Sequence, residues 1–381
     1  MDPKSILVLS HELPPFGGGA GRAVAELCAA LTRRNVAITL WTQRPPPGKE
    51  QHFPFSVRYF ATGRKAQFQT SAVSIVLYTV QVLFYGLIMR RNRPDLIFSS
   101  IAIPAGLAGA VLSRFLKIPH VIWYHGAEVH GNRREGAGPF FRFLLRCAWK
   151  STDLHCFVSQ GLLTMAETFG TMRCPREILP LFADYIVPWN VPVRKEKVFL
   201  FAGRLEKVKN PFLFLDVVEL IRSQCLLPKD VRFKIVGGGS LFPALRRRID
   251  TTALAAVVSI HAPFPGESMS ALYSSAYVVV LTSVVEGYSL MVLESAMCGV
   301  PSIGPDTLGV NEAITDGETG ILFAENDRMS CAKAILALAK DTSLRDRLGG
   351  NARSAACGLS AGHSAAIFLD MVRKHIPVRN Y

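Results

Sequence analysis

The chain has 381 residues, of which 49% are hydrophobic and 19% are charged; its 43 Lys and Arg exceed its 29 Asp and Glu, giving a formal charge of +14. This hydrophobic content excludes a disordered chain, and at about 150 residues per domain the length predicts two domains. The positive charge predicts an anionic partner, which could be a nucleic acid, a membrane surface or a phosphorylated substrate.

The positive charge is concentrated in one region. Residues 51–150 contain 13 Lys and Arg but only 3 Asp and Glu, a net charge of +10, whereas the rest of the chain carries +4. The chain shows neither zinc-ligand spacing nor interleaved aromatic and basic residues, so no nucleic-acid partner is expected. We therefore expect a local basic surface that faces anionic headgroups or a phosphorylated acceptor.

The cysteines and the N-terminus indicate the compartment. The eight cysteines are scattered without a CxxC pair, and the first apolar run, Ile6–Leu9, is too short for the core of a signal peptide. We expect a cytoplasmic protein with reduced thiols.

The first half of the chain alternates between apolar strands and helical patterns. The predicted strands are Ile6–Leu9, Val36–Trp41, Leu96–Ser99, His120–Tyr124 and Leu154–Val158. The predicted helices are Gly21–Arg34, Ala105–Leu116 and Phe140–Lys150. Such alternation predicts a parallel sheet with helices on both faces.

One apolar segment, Val73–Met89, is followed by Arg90, Arg91 and Arg93. It is shorter than the ~20 residues of a typical membrane-spanning helix. Three interpretations are open. The preferred one is a helix buried against the sheet; the others are an interfacial helix whose arginines face anionic lipid, and a membrane span.

The pattern breaks at Pro180–Val193, and a second alternating series follows. Its predicted strands are Val198–Ala202, Phe233–Val236, Val257–Ile260, Tyr277–Leu281 and Ser302–Gly304. Its predicted helices are Pro211–Ile221, Leu241–Ile249, Leu290–Met297, Met329–Leu338 and Ala365–His375. The predicted fold class is α/β, with two tandem Rossmann-like domains. We place the domains at residues 1–187 and 188–360, with a C-terminal helix within 361–381 that packs back on the first domain.

A glycine-rich loop, Pro14–Arg22, joins the first strand to the first helix, where backbone N–H groups and the helix N-terminus could surround an anion. It is not a P-loop, since no Lys-Ser or Lys-Thr follows the glycines. It is not the dinucleotide fingerprint either, because Arg22 replaces the third glycine and no acidic residue ends the second strand. A tight turn without a ligand is the alternative for Gly18 and Gly19.

Basic residues follow the first strand of the second half. Arg204 and Lys209 lie between a strand and a helix, at the edge where open α/β sheets bind ligands. A bidentate guanidinium and a compact ammonium could together neutralise a diphosphate, whereas a solvated charge pair is the alternative. The glycine run Gly237–Gly239 would let a backbone approach a base or a phosphate.

Two glutamates flank the start of helix Leu290–Met297, Glu286 before it and Glu294 inside it. The first N–H groups of the helix, near Leu290 and Met291, carry the positive end of the helix dipole and favour a phosphate. The two carboxylates could then reach hydroxyls of a sugar and of a ribose. Two exposed glutamates are the alternative, but the apolar neighbours predict a buried helix in which Glu294 needs a partner.

These motifs resemble the family-4 retaining glycosyltransferases, which have the two-domain GT-B fold. The resemblance covers nearly the whole chain. It rests on the Gly18-Gly19 loop, Gly203–Leu205 with Lys209, Gly237–Gly239, the E-x7-E motif of Glu286 and Glu294, and Gly309–Leu322. Two positions depart from the family pattern: Pro180–Asp184 lacks an Asn-Gly turn, and Asn210 stands where glycine is usual.

The resemblance implies two domains that face each other across a cleft, with a nucleotide-diphosphate sugar bound mainly to the second. UDP- and GDP-sugars are the usual donors. By similarity, Arg204 and Lys209 hold the diphosphate, Glu294 binds the ribose and Glu286 binds the donor sugar. The remaining donor-binding positions are Gly18, Gly19, Gly238, Ser289, Leu290 and Met291.

His125 matches the histidine that the family places in the cleft beside the anomeric carbon, and His11, Glu128 and His130 are further candidates. The resemblance also implies that the configuration of the transferred sugar is retained and that neither a metal nor a bound cofactor is needed.

The acceptor is expected on the first domain, which carries the basic region and the apolar segment. These features predict a membrane-linked or cell-envelope acceptor and a peripheral position on the inner face of the plasma membrane. A transferase for a soluble small molecule and a nucleotide-binding oxidoreductase are the alternatives. The sequence does not specify the sugar or the nucleotide.

Overall fold

The structure is a computed structural model that describes residues 2–64, 70–89, 93–126, 139–188, 196–226, 228–262 and 269–376. The chain divides into two compact units. Unit 1 comprises Met1–Leu181 and Ser360–Tyr381, and unit 2 comprises Phe182–Leu359.

Strands and helices alternate through both units. The strands are β1 (Ser5–Leu9), β2 (Ala37–Gln43), β3 (Ser56–Phe60), β4 (Leu96–Ser100), β5 (His120–Tyr124), β6 (Leu154–Phe157), β7 (Arg176–Ile178), β8 (Lys197–Ala202), β9 (Val231–Val236), β10 (Val258–His261), β11 (Val278–Val280), β12 (Ser302–Pro305) and β13 (Gly320–Phe323). The helices are α1 (Gly19–Thr32), α2 (Ala72–Ile88), α3 (Leu107–Leu116), α4 (Pro139–Trp149), α5 (Gln160–Glu167), α6 (Pro211–Ser223), α7 (Phe242–Asp250), α8 (Met269–Ser274), α9 (Leu290–Met297), α10 (Arg328–Lys340), α11 (Thr342–Cys357) and α12 (Ala361–His375).

Each unit contains one parallel sheet. The order in unit 1 is β3-β2-β1-β4-β5-β6-β7, and the order in unit 2 is β10-β9-β8-β11-β12-β13. In both sheets the chain begins in the middle, moves to one edge and then returns to build the other half, which is the doubly wound order of Rossmann-like domains. The predicted fold class is therefore confirmed.

Some elements were missed from the sequence, namely β3, β7, β13, α5, α8 and α11. Strand β3 alternates between exposed and half-buried positions before the buried Phe60, and β7 has only three residues, so neither gives the continuous apolar run that predicts a buried strand. Helix α11 is mainly polar, and only Leu348, Gly349, Ala352 and Ala356 are buried in it. Elements with so little apolar periodicity are difficult to predict from sequence alone.

Helix α2 corrects the preferred interpretation of the apolar segment. Its buried residues, Ser74, Tyr78, Val82 and Gly86, recur every four positions and form one narrow stripe. Most of the other apolar side chains are exposed, with Val73 at 67% and Phe84 at 59%, whereas Ile75 and Leu83 are half-buried. The segment is therefore helical, as predicted, but it is not buried, because a single stripe is enough to pack it on the protein.

Among the described helices, none taken singly is both long and apolar enough to cross a membrane; α11 and α12 taken together pass that test by length and composition only.

The C-terminal helix α12 belongs to unit 1, where it packs on α1. Phe368 is fully buried, and its ring centroid lies 4.9 Å from that of Phe98 on β4. The hydroxyl of Ser364 donates a hydrogen bond to the carbonyl of Pro180 at 2.9 Å. The last helix of the chain thus completes the core of the unit that contains the first strand.

Candidate functional site

The candidate site of unit 2 lies where the strand order reverses. Strands β8 and β11 are parallel neighbours in the middle of the sheet, and their crossover connections run in opposite directions. The carboxyl ends of such strands form the crevice in which open α/β sheets bind ligands. The residues that follow β8 include Arg204 and Lys209, and those that follow β11 include Glu286.

The loops after β8 and β11 are joined by hydrogen bonds of the backbone and of the Thr282 hydroxyl. The backbone N–H of Val284 donates to the carbonyl of Val208 at 2.9 Å. The hydroxyl of Thr282 lies 3.0 Å from the carbonyl of Lys209 and 2.8 Å from that of Asn210. These bonds hold the two loops in one arrangement.

Lys209 and Glu286 form an ion pair between Nζ and Oε1, in which the two side chains are 21% and 12% exposed. The hydroxyl of Ser283 donates to the same carboxylate oxygen at 2.7 Å. Charge-assisted hydrogen bonds in a partly desolvated position are strong and fix the geometry of both groups. The structure therefore brings together two of the residues that the sequence analysis predicted for the site.

The backbone around Gly309 is hydrogen-bonded to the loop that contains Glu286. The N–H of Glu286 donates to the carbonyl of Leu308 at 3.1 Å, and the N–H of Ser289 donates to that of Gly309 at 3.2 Å. Gly309 has a φ of +78°, and a Cβ added to it would lie 2.3 Å from the carbonyl oxygen of Glu286. Only glycine allows these two backbones to approach so closely.

Helix α9 begins beside the ion pair. Its N-cap, Ser289, is buried, and within the described part of the chain its side chain forms no capping hydrogen bond. The first N–H groups of a helix, here those of Leu290 and Met291, have no acceptor inside the helix. Together with the helix dipole and the Lys209 ammonium, they make this end of the sheet attractive to a phosphate.

Glu294 lies in the second turn of α9 and is only 8% exposed. The hydroxyl of Tyr185 donates to Oε1 and that of Tyr273 donates to Oε2, each at 2.7 Å. Burial, together with the adjacent Glu294 carboxylate, raises the pKa of Tyr273 well above its ordinary value. The partner that a buried Glu294 requires is thus a pair of tyrosines, which the sequence analysis did not identify because neither belongs to a recognisable motif.

Arg204 is exposed on the loop that follows β8, and the end of β9 supports that loop. The N–H of Leu205 donates to the carbonyl of Gly238 at 2.9 Å. A Cβ added to Gly237 would lie 1.8 Å from the carbonyl oxygen of Gly203. The glycine run therefore permits the close approach of two protein loops, a structural role that the sequence analysis did not consider.

Glu206 occupies the position at the start of α7 where the sequence analysis expected a base or a phosphate. Its carboxylate accepts hydrogen bonds from the N–H of Ser240 at 2.8 Å and from the Ser240 hydroxyl at 2.6 Å. A carboxylate of the protein itself therefore already satisfies donors at this helix N-terminus.

In unit 1, the glycine-rich loop leads into α1 as predicted. Gly18 is the N-cap of the helix, Gly19 is its first residue, and both are exposed. Gly17 has a φ of +80°, and a Cβ added to it would meet the Glu12 carboxylate at 2.5 Å. The turn thus leaves the N-terminus of α1 accessible, as an anion site requires.

His125 follows β5, with its Nε2 atom 3.2 Å from the hydroxyl of Ser100 and its ring centroid 4.3 Å from that of Trp123. Burial lowers the pKa of His125 to about 3, so the imidazole is neutral at physiological pH. The two weaker candidates on the same stretch, Glu128 and His130, lie outside the described residues.

His11 lies in a cluster of buried polar groups at the carboxyl edge of β1, β2 and β3. The guanidinium of Arg64 donates to the carbonyl of His11 at 3.2 Å, and burial lowers the pKa of the His11 imidazole. Among the described residues, His11 Nδ1, Gln43 Nε2, Thr42 Oγ1 and Thr62 Oγ1 are buried without a hydrogen-bond partner. Such atoms are rare in proteins and mark a place where a polar ligand or water would be stabilised. The sequence analysis noted only that the second strand ends without an acidic residue, and it did not identify Gln43.

No group of three or more His, Cys, Asp and Glu that could hold a metal ion occurs in the part of the chain that the structure describes.

Two protein-family models match this chain. The model of glycosyltransferase family 4 matches residues 17–185, and the model of glycosyl transferases group 1 matches residues 189–355. The chain is 31% identical to the D-inositol 3-phosphate glycosyltransferase of Arthrobacter sp. (strain FB24), over 93% of this chain and 89% of that protein.

The chain is also similar to a Campylobacter jejuni protein named GalNAc-α-(1→4)-GalNAc-α-(1→3)-diNAcBac-PP-undecaprenol α-1,4-N-acetyl-D-galactosaminyltransferase. The two are 25% identical over 74% of this chain and 76% of that one. Among solved structures, HepE of Anabaena in complex with UDP and glucose superposes with a TM-score of 0.79, at 18% identity, over 97% of this chain and 100% of that one. The similarity to that structure shows the fold.

Proposed function

Because the chain belongs to the family-4 glycosyltransferases of the GT-B fold, we propose that it is a retaining, metal-independent enzyme that transfers a sugar from a nucleotide diphosphate to a membrane-linked or cell-envelope acceptor. Glycosyltransferase activity follows from the family, and membership excludes the oxidoreductase alternative. The observation that carries the donor assignment is the Lys209–Glu286 ion pair beside the N-terminus of α9, at the crossover of the unit 2 sheet.

In the proposed complex, Lys209 and Arg204 neutralise the diphosphate, and the N–H groups of Leu290 and Met291 donate to it. An ammonium has three donors, so Lys209 can remain paired with Glu286 and still reach a phosphate oxygen. Negative charge grows on the departing diphosphate as the glycosidic bond breaks. Fixed positive charge is therefore worth more in the transition state than in the ground state, which allows catalysis without a metal.

In the reaction, the bond between the anomeric carbon and the diphosphate oxygen breaks, and the acceptor oxygen attacks the anomeric carbon from the same face. The proton of the acceptor hydroxyl passes to the departing phosphate oxygen. Glu286 would orient the donor sugar through its hydroxyls. His125, neutral because burial lowers its pKa to about 3, would act as a hydrogen-bonding group near the anomeric carbon and not as a fixed cation.

The membrane-linked acceptor is supported by the exposed apolar surface of unit 1. We define this surface by the outward side chains of α2 together with Val111 and Phe115 of α3, which are 46% and 50% exposed. Helices α2 and α3 pack against each other, so these side chains belong to neighbouring elements. Exposed apolar clusters of this kind mark partner or membrane surfaces, and the basic excess of residues 51–150 favours an anionic one.

A soluble acceptor is the second candidate, and the cluster around His11 favours it. The imidazole of His11, the amide of Gln43 and the Arg64 guanidinium, which donates to both of those residues, could together bind a hydroxylated, negatively charged small molecule. The relative from Arthrobacter, whose name specifies an inositol phosphate acceptor, is consistent with that chemistry.

The test of the donor site separates binding from transfer. Thermal shift with a panel of nucleotide sugars would identify the donor, with UDP- and GDP-sugars expected to give the largest shifts. Arg204→Ala should weaken nucleotide diphosphate binding by roughly 10- to 100-fold, because a charge-assisted contact is lost. Glu286→Gln should instead leave nucleotide affinity within a few fold and abolish sugar transfer, as measured by release of the nucleoside diphosphate.

Arg222→Ala is the matched control, since Arg222 lies on α6 of the same unit and contacts the carbonyl of Ala253. Unchanged nucleotide affinity in Arg204→Ala would show that the donor site has been assigned to the wrong residues. A chelator such as EDTA should leave transfer unaffected.

A further inference from the structure

Glu294 is held on both of its carboxylate oxygens by tyrosines from different elements. Tyr273 lies on α8 and donates to Oε2, while Tyr185 lies near the start of unit 2 and donates to Oε1. The terminal torsion of a glutamate side chain is broad and roughly two-fold, so a single donor would leave the carboxylate free to rotate. One donor on each oxygen fixes its plane.

The two tyrosines contribute differently to this arrangement. Tyr273 is 2% exposed, and its side chain is set by the packing of α8 against α9. Tyr185 is half-buried and reaches Glu294 across 109 positions of sequence. Because burial keeps the pKa of Tyr273 well above its ordinary value, its hydroxyl stays protonated and remains a donor at every physiological pH.

We infer that Tyr273 and Tyr185 are positioning residues for ribose recognition, which hold the Glu294 carboxylate in the orientation that accepts the hydroxyls of the nucleotide. The inference rests on the proposed donor site. A carboxylate can accept about four hydrogen bonds, so two tyrosine donors are compatible with further donors from a ribose. A ligand that lacks one of those hydroxyls would forfeit a charge-assisted hydrogen bond to this buried carboxylate, and the loss of such bonds is a usual basis of discrimination.

The experiment compares two ligands on one protein. Affinities of the full chain for UDP and 2′-deoxy-UDP are measured by calorimetry, with GDP and 2′-deoxy-GDP in parallel. The wild-type chain should prefer the ribonucleotide by roughly 10- to 100-fold. Tyr273→Phe and Tyr185→Phe should each reduce that preference by about tenfold while the affinity for the deoxynucleotide changes little. In turnover, the KM for the donor should rise more than kcat falls.

The matched control is Tyr277→Phe, which removes the same hydroxyl from the same unit. Tyr277 donates to the carbonyl of Leu338 at 3.2 Å and has no contact with Glu294 in the described structure, so its variant should keep the wild-type preference. The ratio of two affinities does not depend on the fraction of folded protein, so partial destabilisation of Tyr273→Phe would not imitate the predicted result.

The outcomes distinguish this inference from the proposed function. The positioning role is overturned if both tyrosine variants keep the wild-type preference for the ribonucleotide. It is also overturned if the wild-type chain binds the ribonucleotide and the 2′-deoxyribonucleotide equally. Either result leaves the donor site in place. A wild-type chain that binds neither UDP nor GDP overturns the donor site and the positioning role together. The positioning role is supported if the preference for the ribonucleotide is lost in Glu294→Gln and in both tyrosine variants but is kept in Tyr277→Phe.

Discussion

Lys209 and Glu286 form an ion pair, although the family resemblance assigns them to different parts of the donor. The pairing restricts the position of both side chains. The carboxylate keeps the ammonium at the sheet edge, where an unpaired lysine would sample many rotamers, and the ammonium holds the carboxylate in one orientation beside the predicted sugar position. Truncating either side chain therefore disturbs the other, and such truncations are not independent measurements. Glu286→Gln differs, because the amide oxygen of glutamine still accepts a hydrogen bond from Lys209.

Several buried histidines of unit 1, namely His11, His120, His125 and His155, make its stability depend on pH. Burial lowers the pKa of His120 and of His155 to about 3, whereas an unfolded histidine titrates near 6.5. Between these values the unfolded chain binds more protons than the folded one, so stability falls as the pH decreases from about 6.5 towards 3. For each histidine, the free energy of unfolding changes by at most about 1.4 kcal/mol per pH unit.

Urea unfolding followed by tryptophan fluorescence should show this loss, because Trp41, Trp123 and Trp149 all lie in unit 1. His155→Gln should make the dependence shallower, and His363→Gln, at an exposed position on α12, should not. A midpoint that stays constant between pH 7 and pH 5 would contradict the prediction.

At the scale of elements, helix α2 combines an apolar composition with a narrow buried stripe. Its stripe includes Gly86, where an added Cβ would lie 2.4 Å from the side chain of Leu112 on α3. The small residue lets the two helices pack closely, which leaves the wider apolar side of α2 turned away from the protein. This division of one helix into a packed stripe and an exposed side is the structural basis for the proposed membrane contact.

We expect the chain to sediment with anionic liposomes at low salt and much less with neutral ones. The double variant Val76→Ser/Phe84→Ser should weaken that binding by roughly tenfold or more, since each apolar side chain removed from lipid costs about 1.5–3 kcal/mol. The matched control is Leu226→Ser/Met329→Ser, which removes two exposed apolar side chains from unit 2. Equal binding to both kinds of vesicle, or binding to neither, would favour the soluble acceptor.

At the scale of the whole molecule, unit 1 depends on a helix that is distant in sequence from the rest of the unit. Unit 1 is complete only when α12 has folded onto it. Ion pairs join α12 to the rest of the unit: Arg373 pairs with Asp2 at 3.1 Å, and Lys374 pairs with Glu177 on β7 at 2.9 Å. These exposed pairs contribute little individually. The apolar face of α12, centred on Phe368, supplies most of the stabilisation.

Phe368→Ala should destabilise unit 1 by about 3–5 kcal/mol, because it removes a fully buried aromatic side chain and leaves a cavity beside Phe98. The urea midpoint from tryptophan fluorescence should fall accordingly, and nucleotide binding to unit 2 should persist at low urea. Met329→Ala, at a side chain that is 42% exposed, is the control and should change the midpoint little. A variant with wild-type stability would show that α12 is not part of the unit 1 core.

The sequence by itself determined the features that depend on neighbouring residues. Alternating apolar runs and helical patterns predicted two Rossmann-like domains, because each run forms a strand or helix largely from local preferences. The spacing of Glu286 and Glu294 around the start of α9 was likewise readable, since the N-terminus of a helix is a local feature. The family resemblance drawn from these motifs is confirmed by the comparisons.

Only the tertiary structure decided which distant groups meet. It paired Glu294 with Tyr185 and Tyr273, placed Glu206 at the start of α7, and gathered buried polar atoms around His11. It also showed that most apolar side chains of α2 are exposed, because burial depends on how much of a helix its neighbours cover and not on its composition. Contacts between side chains far apart in sequence leave no periodic signal, and for that reason the partners of the site appear only in the folded chain.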